Sequence, residues 1–176
     1  MYDKLGLLTF ACYPDGTDDL HGTWQPGHDI VVLAAGYFAY DVLNCFVRKY
    51  DWAFTVHGIA CFVCYLLATT PFLERDVLYY LSWEATTVVF NLLRAERGDT
   101  PRKETYKRLF FVLFFVVRIC CGYGYTVGFV RRVWPRLRPG EWMLPLFLGI
   151  VAIANGLNTF WFAKLMRKAL DACRKG

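Results

Sequence analysis

Charge is missing from long parts of this sequence. No Asp, Glu, Lys or Arg occurs between Asp51 and Glu74, or between Glu141 and Lys164. Single charges interrupt three further apolar stretches: Asp41 in residues 30–47, Glu84 in 77–93 and Arg118 in 109–130. Charged residues make up 20% of the chain and hydrophobic ones 56%, with a mean hydropathy of +0.30. An ordinary soluble domain carries about 25% charge, spread more evenly. The pattern excludes such a domain and reads as a multi-pass membrane protein. Internal repeats, low-complexity tracts and domain linkers are also lacking, and no nucleic-acid motif accompanies the net charge of +5. That charge reads as basic loops on the cytosolic side of a membrane, not as a nucleic-acid partner. Histidine is scarce, with three residues. His21 and His28 flank "GTWQPG" too loosely, even with Asp29 nearby, to make a metal centre. Asp15, Asp18 and Asp19 read as a solvated acidic turn. Neither a metal nor a cofactor is therefore expected. Cys61-x-x-Cys64 has redox spacing but sits in a span, where a thiolate is disfavoured, and Cys120-Cys121 reads as packing. Cys12 and Cys173 are the cysteines outside the spans, and the closing "CRKG" is not a clean dilysine signal.

What is present is a set of five apolar stretches, residues 30–47, 52–70, 77–93, 109–130 and 142–163. Each approaches the roughly 20 residues needed to cross the hydrocarbon core. Trp52, Trp134 and Trp142 lie near their ends, where interfacial aromatic belts form. The expected fold is all-α: a multi-pass transmembrane helical bundle of about five spans. Residues 1–29 form an N-terminal remnant and a non-cytosolic loop, 30–168 the bundle and 169–176 a cytosolic tail. Five spans place thirteen of the twenty Lys and Arg on one side, six on the other, and Arg118 inside. The thirteen mark the cytosolic side, with the C-terminus there. Residues 1–13 have only Lys4 as a basic residue and a short apolar core, unlike a cleavable signal peptide. Their run "LGLLTFACY" is about half a span.

At a rise of ~1.5 Å per residue, the polar residues inside the spans fall into two layers. Asp41, His57 and Asn158 lie about 10 Å from the cytosolic edge; Glu84, Arg118 and Asn155 lie about 15 Å deep. An ionisable residue in a span faces the bundle interior and a partner. Asp41 is therefore expected beside His57, across the short "RKYD" connection, and Glu84 beside Arg118. Helical phase groups Tyr37, Tyr40, Asp41 and Asn44 on one face. Glu84, Thr87, Asn91 and Arg94 form a second stripe, Arg118, Gly122 and Tyr125 a third, and Asn155 with Asn158 a fourth. His57, Cys61, Cys64 and Ala68 share a face of the second span. Together these stripes imply a semi-polar interior, lined by Tyr37, Tyr40, Asp41, Asn44, His57, Glu84, Thr87, Asn91, Arg118, Tyr125, Asn155 and Asn158.

The ordered blocks "GYFAYD", "DWAFTVHG", "TPFL", "SWEATTVVFNLLR", "FVVR" and "LNTFWFAKLMRK" resemble the TLC-domain family from about Leu33 to Lys168. They are most similar to the TLC domain-containing protein 4-like group, with ceramide synthases as distant enzymatic relatives. The resemblance implies a bundle around a central cavity, in the endoplasmic reticulum or another cellular membrane, with membrane lipids as partners. The synthases carry a His-His pair on the matching span, one His of which acts in acyl transfer from acyl-CoA to a sphingoid base. Here His57 matches the first position and Gly58 stands at the second. The synthases' Asp pair ahead of the Glu is also absent from "YYLSWE", while Glu84 itself matches. The leading expectation is a protein that binds, senses or regulates lipids without catalysis. One alternative is a divergent acyltransferase with His57 as base and Asp41 as its orienter, taking acyl-CoA or a sphingoid lipid. Another is a membrane trafficking or scaffold partner. Because the family's cavity has at least six helical walls, the resemblance also implies an N-terminally truncated chain that lacks a span.

Overall fold

The computed structural model describes residues 20–70 and 72–175. Every regular element among them is helical. The chain packs as two compact units. One comprises the described residues up to Tyr80 together with Arg138–Ile150; the other comprises Leu81–Leu137 and the residues from Val151 onward. The "LGLLTFACY" run and Cys12 lie outside the described residues.

The first unit is organised by the hairpin of α1 (Gln25–Val47) and α2 (Trp52–Ala68). Pro26 opens α1, at a position where a missing N–H costs nothing. The hairpin turn is sharp because two caps meet there. Tyr50 N–H donates to the Cys45 carbonyl, Lys49 N–H donates to the Phe46 carbonyl, and Lys49 has φ 50°. This is a Schellman closure with Lys in the left-handed position that usually holds Gly. Two residues later, the Asp51 carboxylate accepts from Ala53 N–H and starts α2. The two helices are thereby antiparallel neighbours, as the short connection requires. Val31, Ala34, Ala35, Phe38 and Cys45 are buried on α1, as are Ala53, Gly58, Ala60, Cys64, Tyr65 and Ala68 on α2. Small side chains on both faces allow close approach of the backbones. Phe38 packs on Tyr65 with ring centroids 4.9 Å apart. Leu144 and Phe147, from the start of α7 (Met143–Lys175), add fully buried side chains to this unit's core.

The first unit also contains α3 (Glu74–Leu81) up to Tyr80. Leu73, just before it, is fully buried with φ 52°, a conformation uncommon for a branched residue. The Tyr65 hydroxyl donates to the Val77 carbonyl at 2.9 Å, tying α2 to α3.

The second unit begins at the end of α3. A 3₁₀ turn at Ser82–Glu84 leads into α4 (Ala85–Ala95). Gly98 at φ 75° turns the chain, and Thr100 caps α5 (Pro101–Leu113) by accepting from Lys103 N–H. A π-helical segment, Phe114–Cys121, then passes into α6 (Gly122–Val133). Residues from Val151 complete the unit with the rest of α7. Phenylalanines pack its core: Phe90 on Phe110 at 5.3 Å, Phe110 on Phe114 at 5.7 Å, and Phe114 stacked on Phe162 at 6.4 Å.

Among the described residues, five helical rods thus follow one another, at the places of the five expected stretches. Three helices among the described residues are long and apolar enough to cross a membrane: Gln25–Val47, Pro101–Arg136 and Met143–Asp171. Trp52–Ala68 is apolar but shorter, with 17 residues. The expected span 77–93 is divided by the 3₁₀ turn, and the helix that carries its first residues, α3, opens earlier on the charged "ERD" of residues 74–76. Trp52, Trp134 and Trp142 are all exposed at helix ends, as interfacial residues are.

Candidate functional site

The densest polar constellation is in the second unit, around Arg118. This side chain is 4% exposed, inside a helix of otherwise apolar residues. Its Nε donates to the Thr86 hydroxyl at 2.7 Å and to the Trp83 carbonyl at 3.2 Å. Nη1 donates to Asn158 Oδ1 at 3.1 Å. Nη2 donates to the Trp83 carbonyl at 3.0 Å, Thr87 Oγ1 at 3.3 Å and Glu84 Oε1 at 3.4 Å. The guanidinium also lies over the Phe114 ring, 5.4 Å from its centroid. A buried charge requires this degree of satisfaction, and a planar fork of donors supplies it better than an ammonium.

Two local distortions assemble the site. The 3₁₀ turn at Ser82–Glu84 tightens the ladder and advances the following residues by about 20° each relative to α geometry, about 60° in all. Thr86 and Val89 consequently become buried, while Thr87 is half-buried and Asn91 exposed. The Trp83 carbonyl, at this junction, takes bonds from Arg118 and from the Thr86 hydroxyl. On the facing helix, the π segment Phe114–Cys121 widens the turn that carries Arg118. Gly122 follows it, and the Trp83 indole occupies the room a side chain would need: a Cβ at Gly122 would lie 2.9 Å from Trp83 Cζ2.

Asn155 and Asn158 close the site from α7. Asn155 Nδ2 donates to Thr126 Oγ1 at 3.2 Å and to the Val151 carbonyl at 2.8 Å. The Tyr123 hydroxyl donates to the Asn155 carbonyl at 3.1 Å and pairs closely with the Thr159 hydroxyl. Asn155 and Asn158 are 6% and 1% exposed. Each nevertheless has one buried polar atom without a hydrogen-bond partner among the described residues: Asn155 Oδ1 and Asn158 Nδ2. Such an atom costs roughly 1–3 kcal/mol when nothing satisfies it.

The sequence-derived residues are distributed as follows. Glu84, Thr87, Arg118 and Asn158 form one constellation, with the depth-matched pairing of Glu84 and Arg118 present at 3.4 Å, while Asn155, one turn earlier on α7, bonds to Thr126 instead. Tyr125 is half-buried, and Asn91 and Arg94 point outward, Arg94 over Phe90. Tyr37 and Tyr40 are exposed, because the buried stripe of α1 runs through Val31, Ala34, Ala35, Phe38 and Cys45 instead. Asn44 donates back to the Tyr40 carbonyl of its own helix. Asp41 turns toward α2: its Oδ2 is 3.4 Å from where a Cβ of Gly58 would stand, next along the chain to His57. His57 is half-buried, with Cys61 Sγ 3.7 Å from both ring nitrogens. Cys120 and Cys121 are exposed, not packed inside.

Sequence reasoning missed Trp83, Thr86, Tyr123 and Thr126, whose roles depend on the two helix distortions. It also missed a cluster in the first unit. Glu74 is fully buried and accepts from Trp24 N–H and His28 Nδ1, both at 3.2 Å. His28 belongs to the first turn of α1, not to a loop. A Cβ at Gly27 would lie 3.2 Å from Glu74 Oε1, so the carboxylate is lodged against the start of α1, the favourable end for a negative charge. Among the described residues, no group of three or more His, Cys, Asp or Glu is arranged to hold a metal.

Residues 9–167 match the family model of the TLC domain. Among curated relatives, topoisomerase I damage affected protein 4 of Saccharomyces cerevisiae is 29% identical over 153 residues, covering 78% of this chain and 53% of that protein. An uncharacterized TLC domain-containing protein of Schizosaccharomyces pombe, C17A2.02c, is 28% identical over 165 residues, covering 90% of this chain and 56% of that protein. The chain spans about half the length of these relatives. No solved structure matches it.

Proposed function

The chain belongs to the TLC-domain family, and on that premise we propose that it binds or senses membrane lipids within its helices without catalysing their chemistry. The observation that carries this reading is the Arg118 constellation. Arg118, Glu84, Thr86, Thr87 and Asn158 hold a hydrogen-bonded polar centre inside a unit whose core is otherwise mostly apolar and which contains the membrane-crossing helix Pro101–Arg136. Polar and ionisable groups at membrane depth mark functional pathways more often than packing alone. A catalytic reading lacks support at the corresponding place, since Gly58 stands where the related synthases have the second His of their pair. The distribution of Lys and Arg supports a cytosolic C-terminus, and family likeness favours the endoplasmic reticulum.

The test is purification of the chain followed by mass spectrometry of the lipid that accompanies it. A reproducible lipid class retained through purification, and lost in Arg118→Met, is the expected result; a chain free of bound lipid overturns the reading. The second reading, a divergent acyltransferase, rests on Asp41 facing α2 at Gly58, one residue from His57. Acyl-CoA turnover abolished by His57→Ala would favour it.

A further inference from the structure

We propose that the site in the second unit takes an uncharged lipid bearing a hydroxyl group, such as a diacylglycerol, and not an anionic phospholipid; this rests on the lipid-binding reading above. A buried arginine suggests a phosphate site at first sight. Here all three guanidinium nitrogens already donate to protein oxygens, and the Glu84 carboxylate lies 3.4 Å from Nη2. An incoming phosphate would have to displace these bonds and would meet a carboxylate. Every nitrogen of the cation is already committed to the protein.

The unfilled hydrogen-bonding capacity lies elsewhere, and it is neutral. Asn155 Oδ1 is an acceptor without a donor, and Asn158 Nδ2 a donor without an acceptor, among the described residues. The amide orientations are set by their neighbours. Turning Asn158 would aim its NH₂ at the donating Nη1 of Arg118, and turning Asn155 would set oxygen against the Val151 carbonyl. The two residues are three apart on α7, so their Cβ atoms lie about 5–6 Å from each other on one face. A hydroxyl admitted between them would donate to Asn155 Oδ1 and accept from Asn158 Nδ2, because a hydroxyl carries both functions. A phosphate monoanion or dianion offers acceptors in excess and brings a charge into the span. The apolar surroundings, Phe114 and Phe162 among them, suit the acyl chains of such a lipid. A bound water has the same two functions as a lipid hydroxyl, so the experiment must separate them.

The full chain, solubilised in a neutral detergent, is titrated with dioleoylglycerol, its methyl ether and dioleoyl phosphatidic acid, with binding read by native mass spectrometry and by thermal unfolding. All three probes share the same acyl chains. The expected result is at least tenfold tighter binding of dioleoylglycerol than of the other two, with that preference lost in Asn155→Leu. Equal or tighter binding of phosphatidic acid, or of the ether that has lost its donor, overturns the inference while leaving the lipid-binding reading intact. Failure of all three to bind also overturns the inference, and the lipid-binding reading is then decided by the lipid that accompanies the purified chain. Should Asn155→Leu not fold, the comparison of the three probes on the unaltered chain decides by itself.

Discussion

At the scale of single residues, Arg118 is the side chain on which most depends. Arg118→Met would take the Arg118 donor from Asn158, Glu84 and the Trp83 carbonyl, and removing one partner of a buried pair costs about 3–5 kcal/mol. Arg118→Lys should be nearly as damaging, since an ammonium cannot reach Thr86, Trp83 and Asn158 together. Glu84→Gln should be milder, because the Glu84 side chain is 21% exposed and the other acceptors remain. Unfolding of the purified variants in micelles would rank them; a Lys variant as stable as the wild type would show that charge alone suffices. Gly122 makes a separate demand. With Trp83 Cζ2 2.9 Å from the position of its missing Cβ, Gly122→Ala should cost roughly 1–3 kcal/mol through overpacking. Trp83→Phe in the same chain should recover part of that loss, and additive losses would contradict the contact.

At the scale of elements, the α1–α2 hairpin rests on a turn with one unfavourable residue. Lys49 holds φ 50° at the Schellman position, where Gly fits without strain. Lys49→Gly is expected to raise stability by about 0.5–1 kcal/mol, read as a higher thermal midpoint, with no change in lipid binding. A lower midpoint would mean that the Lys side chain makes a contact worth more than the strain. The start of α1 depends on α3 through Glu74, which accepts from Trp24 N–H and from His28. Glu74→Leu should speed hydrogen exchange at the Trp24 amide by at least tenfold, whereas Glu74→Gln, which keeps an acceptor, should preserve most of the protection. Equal exchange in both variants would place the protection in burial and not in the hydrogen bond.

At the scale of the whole chain, composition already separates a membrane protein from a soluble one, but the helices cross a membrane individually. The continuous helix Pro101–Arg136 spans the hydrocarbon core if residues 96–100 and 137–141 lie on opposite sides. With the C-terminus cytosolic, an engineered glycosylation acceptor should be modified between residues 137 and 141 and remain unmodified between 96 and 100. The reverse pattern would invert the orientation, and modification at neither place would remove this helix from the membrane's lumenal reach altogether.

The sequence by itself determined the class, the order of the helices and the close pairing of α1 with α2. It did so because apolar run length, turn chemistry and loop length are local properties, written in consecutive residues. Depth along the spans was local too, and it sufficed to match Glu84 with Arg118. Rotation about each helix axis was not. A 3₁₀ turn at Ser82–Glu84 and a π segment at Phe114–Cys121 change the angle per residue, and no ideal periodicity anticipates either. That is why Thr86 is buried more deeply than Thr87 and why Tyr123 enters the network; in α1, an undistorted helix, Tyr37 and Tyr40 lie outside because the apolar stripe through Val31, Ala34, Ala35, Phe38 and Cys45 takes the buried face. The Glu74–His28 bond joins residues 46 apart. Only the tertiary structure decides such a pairing, because it depends on where α3 meets the start of α1 and not on either segment alone.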